Sequence, residues 1–550
     1  MKTNLLSLLL ILLVSFSSCT TKQNSSGFDP DEQQLFIGDN IAIAQTQYGK
    51  VKGFILRGIY QYRGIPYGEN TGGENRFMPP KPPKEWDGTL PTVWWGNTAP
   101  QIMEGRYGNA YASFADHWNY DDVSEDCLKL NVWTPSIDDK NRPVLVWLHG
   151  GGYTNGNGIE QDGYDGENIS RKGDIVFVSI NHRLGPIGFS DLSGIGGEKY
   201  KYSGNAGVLD MIFALEWVHN NIANFGGDPG NVTIMGQSGG GAKVCNLMAS
   251  PKAQGLFEKG VPLSGSTIQS MDQTTSQLIG EYILKEAGLK PTEIDQLQEM
   301  PWLAYINLAD RAARKCAEEN KDKVGMRGSF GPVADGEILP EGQYFADVNG
   351  PGSDIPMLIC TTFNEWNMSR TNAEMENMSM DDIKEKLAEM GGWRGGFGDK
   401  APGIVDAYAK TFPDIKPAEL MSMITSNRKG VIETCNAKAN QSANIYLAWF
   451  GWQPPMFDNR MRAFHCLDIS FWFYNTDLML THSGGGKIPR ALSEKMSDAL
   501  LNFMRTGDPS ADGSALPVWP AYTIENGETM ILKDISEVQN DPDREAREAL

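Results

Sequence analysis

Residues 236 to 240 read Gly-Gln-Ser-Gly-Gly. An apolar run, Val232 to Met235, leads into them, and a small-residue helical stretch, Gly239 to Met248, leads out. A serine placed this way sits on a tight strand-to-helix turn that lifts its hydroxyl clear of the sheet edge. Flanking glycines allow the strained turn and the close packing around it. The chemistry open to Ser238 is attack on a carbonyl carbon. Alone, the motif also describes a Gly-Ser turn in which Ser238 only caps a helix. A second feature bears on that choice. His149-Gly150-Gly151-Gly152-Tyr153 follows the apolar run Val144 to Leu148. A carbonyl oxygen under attack gains negative charge, and backbone N–H groups aimed at it stabilise that charge by about 3 kcal/mol each. A glycine loop of this kind upstream of a serine elbow is the pairing that acyl transfer needs.

A serine nucleophile needs a base to take its proton and a carboxylate to orient the base. In α/β hydrolases these follow the serine in the order acid, then histidine. His117, His149, His182 and His219 all precede Ser238, leaving His465 and His482. His482 lies in the Gly-rich stretch Thr481 to Lys487, which reads as a surface turn. His465 lies between a charged segment, Phe457 to Arg462, and an apolar one, Ile469 to Tyr474, and is the better base. Glu365 lies just beyond the apolar run Pro356 to Cys360, where an acid on a post-strand loop is expected. Asp335 and Asp354 are its rivals on spacing alone.

The elements that must position these groups are short apolar runs alternating with helical stretches. Val144 to Leu148, Ile175 to Ile180, Val232 to Met235 and Pro356 to Cys360 are continuous, mostly apolar runs without alternation, as buried parallel strands are. Asn205 to Phe225 reads as a helix stopped by Gly226 and Gly227. The fold class is therefore α/β: a twisted, mostly parallel sheet flanked by helices. Thr371 to Lys416 has helical periodicity and reads as an inserted cap, a packing layer in preference to a moving lid.

The chain has 550 residues, 40% of them hydrophobic, enough for a large core. Its formal net charge of -21 disfavours nucleic acid as a partner. Residues 1–19 carry Lys2, an apolar core from Leu5 to Phe16, and Ser17-Ser18-Cys19, the pattern of an export signal with a lipobox-like end. Cys19 is then the lipidation site, residues 20–39 a polar tether, and residues 40–550 one catalytic domain. The expected location is the bacterial cell envelope, with simple secretion as the alternative and the lipid anchor as the one contact with membrane. Cys127, Cys245, Cys316, Cys360, Cys435 and Cys466 are scattered, with no pattern for a metal site.

Further stretches carry a family resemblance. Arg63-Gly64-Ile65-Pro66-Tyr67, Glu125-Asp126-Cys127-Leu128, Asn181-His182-Arg183-Leu184-Gly185-Pro186, Asn224-Phe225-Gly226-Gly227-Asp228-Pro229 and Arg505-Thr506-Gly507-Asp508-Pro509 stand in this order. With the serine elbow and Phe464-His465, the chain resembles the type-B carboxylesterase and cholinesterase family, an α/β-hydrolase family, over nearly everything after residue 40. The resemblance implies Ser238, Glu365 and His465 as the triad. It implies the N–H groups of Gly151, Gly152 and Gly239 as the oxyanion hole, and ester hydrolysis without metal or organic cofactor. Gln237 and Gly239 depart from the family's usual glutamate and alanine; the freedom of Gly239 is expected to loosen the donor geometry. Trp366 stands where glycine is common and is expected to crowd the acid's loop. Cys127 lacks its usual upstream disulfide partner and is expected to be unpaired. Trp118 is similar to a cholinesterase tryptophan that receives cationic substrates, although packing within a loop also explains it and choline esters are not expected. Trp118 and Tyr153 are candidate substrate contacts. The expected partners are small-molecule esters, with acyl groups on glycans as an alternative. A non-catalytic adhesion module on the same fold is the reading from another class.

Overall fold

Arg142–Leu148 shows how the sequence builds the core. Val144, Val146 and Leu148 pack into one hydrophobic cluster, and Leu145 and Trp147 into another. Side chains alternate across a strand, so a run that is apolar throughout needs cover on both faces. Helix α1 (Ala206–Asn221) supplies it on one side through Val208, Met211, Leu215 and Val218. On the other side lie segments late in the chain, including Leu492, Met496, Leu500 and Phe503.

A computed structural model describes residues 31–102, 114–115, 122–321, 328–390, 397–510 and 514–550. The export signal, Cys19, most of the tether and Trp118 lie outside the described residues. Among the described residues the main sheet has 12 strands. In chain order they are β1 (Leu35–Phe36), β2 (Phe54–Leu56), β3 (Ile59–Pro66), β4 (Lys129–Thr134), β5 (Arg142–Leu148) and β6 (Val176–Ile180). Then come β7 (Gly227–Gln237), β8 (Lys259–Leu263), β9 (Met357–Thr362), β10 (Ile445–Phe450), β11 (Glu528–Leu532) and β12 (Glu537–Asn540). Their spatial order is β1-β2-β3-β4-β6-β5-β7-β8-β9-β10-β11-β12. From β6 through β11 every neighbouring pair is parallel, and the pairs at both edges are antiparallel. The four strands read from the sequence are β5, β6, β7 and β9.

Two boundaries differ from the sequence reading. β7 begins at Gly227, ahead of Val232, because Gly227 pairs with Arg142 before a register shift. Helix α1 ends at Asn221, and a turn of 3-10 helix, Ile222–Phe225, carries the chain to Gly226, whose φ of 80° closes it. The inserted segment is helical as expected: α3 (Met380–Glu389) and α4 (Ala401–Thr411) bury Ile383, Leu387, Ile404, Val405 and Tyr408 in the core cluster on one face of the sheet. That burial makes them a packing layer.

Candidate active site

Ser238 stands between β7 and helix α2 (Gly239–Ala249) at φ 58° and ψ -123°. Its N–H donates to the Leu263 carbonyl at 2.8 Å, and its carbonyl accepts from Ala242 N–H at 3.2 Å. An L-residue takes positive φ at a cost of about 1–3 kcal/mol and keeps it only where surroundings impose it. Here they do: a Cβ at Gly240 would sit 2.0 Å from the Leu148 carbonyl oxygen, and one at Gly265 1.6 Å from that of Ser238. The glycines around Ser238 are therefore sites of close backbone approach. The hydroxyl of Ser238 makes no hydrogen bond among the described residues.

Glu365 and His465 are brought together across the sheet. Glu365 follows β9, and its Oε2 meets His465 Nδ1 in a short hydrogen bond. Its Oε1 accepts from the Thr361 hydroxyl and, at 2.8 Å, from Thr362 N–H. The two loops are tied backbone to backbone: His465 N–H donates to the Glu365 carbonyl at 3.0 Å and Asn364 N–H to that of Ala463 at 3.0 Å. Burial pushes the Glu365 carboxyl up, but the His465 charge and the hydrogen bonds outweigh it and hold the group below its ordinary value. For His465, burial favours the neutral ring, while the Cys466 sulfur and Glu365 carboxylate outweigh burial and hold the imidazolium well above its ordinary value. Strain collects here as well: Phe457, Asp458, Asn459, Arg462 and Cys466 all have positive φ.

The oxyanion loop lies against the elbow. Gly151 and Gly152 have φ of 80° and 63°, and Gly151 closes a turn by accepting from Asn155 N–H at 3.1 Å. A Cβ on Gly239 would lie 2.2 Å from the Gly152 carbonyl oxygen, which places the N-terminus of α2 directly beside the loop. Among the described residues, no protein acceptor takes up the N–H of Gly151, Gly152 or Gly239. Three free donors beside a serine at a helix N-terminus form a site for developing negative charge.

Known proteins resemble this chain over nearly its whole length. The model of the Carboxylesterase family matches residues 40–548. The chain belongs to this family. The para-nitrobenzyl esterase of Bacillus subtilis is 33% identical over 513 residues, covering 92% of this chain and 98% of that protein. An esterase from Clostridium hathewayi, described as hydrolysing aliphatic aromatic polyesters, shares 33% identity at a TM-score of 0.80, over 94% of this chain and 99% of that one. The Geobacillus stearothermophilus carboxylesterase at pH 6.2 shares 32% identity at a TM-score of 0.74, over 92% and 99% of the two chains. The fold is that of the α/β hydrolases, and the chain is a carboxylic ester hydrolase.

In this carboxylesterase the departures noted in the sequence have physical explanations. Gln237 is fully buried. Its Nε2 stands 3.3 Å from His465 Nε2 and 3.4 Å from Nδ1, and its Oε1 accepts from the Cys466 thiol at 3.2 Å. The residue before the serine thus touches the base and its neighbour. Trp366 does not crowd the acid's loop: its ring lies on His465 with centroids 4.4 Å apart and stays 45% exposed, forming a wall beside the base. Gly239 packs closely against the loop: only a residue without a Cβ admits Gly152 at this distance. Gly239→Ala is therefore expected to displace Gly152 and lower kcat about tenfold. Steady-state kinetics on an activated ester check this, and a wild-type kcat would show that the loop yields freely.

The rival residues go elsewhere. His482 is not on a surface turn. It lies in a short helix, Leu480–Ser483, 1% exposed, with Nε2 2.9 Å from the Ala115 carbonyl and its ring edge-on to Phe464. Gly484, Gly485 and Gly486, all at positive φ, turn the chain after it so that the histidine stays inside. Asp335 caps a turn by accepting from the N–H groups of Glu337, Ile338 and Leu339. Asp354 lies near Lys438. Tyr153 turns its hydroxyl to Asn246 on α2. Cys127 is buried and forms no disulfide among the described residues. Three groups escaped sequence reasoning: Cys466 beside the base, the buried Asp468, which burial pushes up to about 7, and Lys243 on α2. Lys243 was findable as the one charged residue in helix α2.

Proposed function

We propose that Ser238, His465 and Glu365 hydrolyse small carboxylic esters by two-step acyl transfer. The observation that carries this is the Glu365–His465 hydrogen bond on two loops joined through their backbones, with Gln237, the chain neighbour of Ser238, against the same ring. His465 Nε2 takes the hydroxyl proton as Ser238 Oγ attacks the carbonyl carbon. Glu365 keeps the other ring proton on Nδ1 and stabilises the imidazolium. The N–H groups of Gly151, Gly152 and Gly239 hold the oxyanion. His465 then protonates the departing alcohol, and a water attacks the acyl-serine by the same route to release the acid. Catalytic hydrogen bonds are commonly long in the absence of substrate and tighten when it binds, as the Ser238–His465 contact must. Release of p-nitrophenol from esters of increasing chain length tests the reading and maps the acyl pocket; absence of release across the series from folded protein counts against it.

The base must be neutral to accept the proton. Because His465 is held well above its ordinary value of 6.5, kcat/KM is expected to fall as pH drops through a midpoint above 6.5. The same raised value means that the imidazolium–carboxylate pair stabilises the fold most below the unfolded value and that this contribution is lost as pH rises through the folded one. A pH–rate profile checks the first expectation. An acid limb at or below the ordinary histidine value would show that Glu365 and Cys466 do not raise the base.

The substrate proposal extends from small aryl and alkyl esters to acyl groups on glycans or ester-linked polymers, the last supported by the polyester activity ascribed to the Clostridium relative. We further propose export and lipidation at Cys19, supported by Lys2, the apolar Leu5 to Phe16 and Ser17-Ser18-Cys19 ahead of a family match that begins at residue 40. Cys19→Ser is expected to move the protein from the membrane to the soluble fraction; an unchanged distribution would remove the anchor.

A further inference from the structure

A charged side chain bonded to the oxyanion loop lies outside the triad. Lys243 lies one turn into α2, and its side chain is fully buried. Its Nζ donates to the His149 carbonyl at 2.9 Å. That carbonyl begins the loop that runs through Gly150, Gly151 and Gly152. Three residues further along the same helix, Asn246 accepts from the Tyr153 hydroxyl, at the far end of that loop. Residues three apart on a helix share a face. The helix that carries the nucleophile therefore grips the oxyanion loop at both ends. The grip is itself anchored: Asn246 donates to the Tyr344 hydroxyl at 2.8 Å, and Gly185 N–H donates to the Tyr153 carbonyl at 2.6 Å.

We infer that Lys243 is a positioning residue for the oxyanion hole, with Asn246–Tyr153 as the second point of a clamp that fixes Gly151 and Gly152 relative to Ser238. The inference rests on the acyl-transfer reading above and deepens it. A buried ammonium is costly, so a purely packing role would be better filled by an apolar residue. Among the described residues the surroundings are polar without a carboxylate in salt-bridge contact with the amine. Glu160 acts on the amine at longer range, and the stacked rings of His149 and His182 lie nearby with centroids 5.0 Å apart. The Tyr153 ring is 5.9 Å from Nζ. Burial pushes the amine down to about 7, yet in either protonation state it retains an N–H to give the His149 carbonyl. The hydrogen bond thus survives across the working pH range, and the charged form adds a positive potential behind the developing oxyanion.

The test is Lys243→Met, which keeps the length of the side chain and removes the donor. It is compared with the parent enzyme and Ser238→Ala on a p-nitrophenyl ester, with an aryl trifluoromethyl ketone as a probe of the hole. Ser238 Oγ adds to the ketone carbonyl and places an oxyanion against the same N–H groups; a neutral alcohol carries no such charge. Lys243→Met is expected to lose about 30-fold in kcat with KM changed about twofold or less, and to lose ketone affinity by a similar factor, while inhibition by a neutral alcohol is unchanged. Tyr153→Phe is expected to show the same pattern at about threefold. A folded Lys243→Met enzyme with parental kcat and ketone affinity overturns the proposal. Should Lys243→Met fail to fold, Tyr153→Phe decides: parental ketone affinity overturns the clamp, and a selective loss supports it. Activity surviving in Ser238→Ala would instead overturn the triad reading, and the clamp with it.

Discussion

Ser238→Ala is expected to lose about six orders of magnitude in kcat while folding as the parent does. The size of the effect follows from covalent chemistry: without the hydroxyl there is no acyl-enzyme, and only the oxyanion donors and substrate binding remain to act on bound water. The intact fold follows from the structure. The strained φ of 58° at Ser238 belongs to the backbone, held where carbonyl oxygens would lie 2.0 Å or less from a Cβ on Gly240 or Gly265. The hydroxyl makes no hydrogen bond among the described residues, so its removal leaves no partner unsatisfied. Turnover of a p-nitrophenyl ester, labelling by a serine-directed phosphonate and thermal unfolding, measured together, separate the cases. Retention of about one per cent of activity or more in the variant would exclude Ser238 as nucleophile.

Glu365→Gln is expected to lower kcat by about four orders of magnitude, although it changes only one atom pair. The reason lies in the other oxygen of the carboxylate. Oε1 accepts from the Thr362 N–H at 2.8 Å and from the Thr361 hydroxyl. A backbone donor cannot turn away, so the glutamine oxygen must stay at that position. Its amide NH2 then faces His465 Nδ1. The imidazole responds by placing its single proton on Nε2, where the lone pair that deprotonates Ser238 should be. The residue that holds the base would thus select its wrong tautomer. The acid limb of the pH profile should also move down, because a charge that holds His465 up is gone. The kinetics and the profile are measured on the same variant. A loss of about tenfold or less would mean that the carboxylate acts only as a packing partner.

Much of this site is legible in the sequence because its parts are local. The serine elbow and the His149 to Gly152 loop are continuous segments attached to strands, and strands buried on both faces announce themselves as unbroken apolar runs. Chain order narrows the histidine, and the family resemblance names the acid. Other features depend on contacts between segments far apart in the chain. His482 sits in a glycine-rich stretch that reads as exposed, yet Phe464 and the Ala115 carbonyl enclose it. Trp366 reads as an obstruction, and the fold uses it as a wall for the base. Gly239 reads as a looser alanine, and the fold requires it because Gly152 arrives from another strand's loop.

The sequence by itself determined the α/β class, the nucleophile's turn and the type of chemistry, because periodicity and glycine-dependent turns are encoded within short windows. Only the tertiary structure decided how Glu365 and His465 meet and what Gln237 touches. It alone showed that Lys243 and Asn246 reach back from the nucleophile's helix to both ends of the oxyanion loop. Hydrogen bonds act over about 3 Å, and which residues come within that range is set by the order and twist of strands drawn from the whole chain.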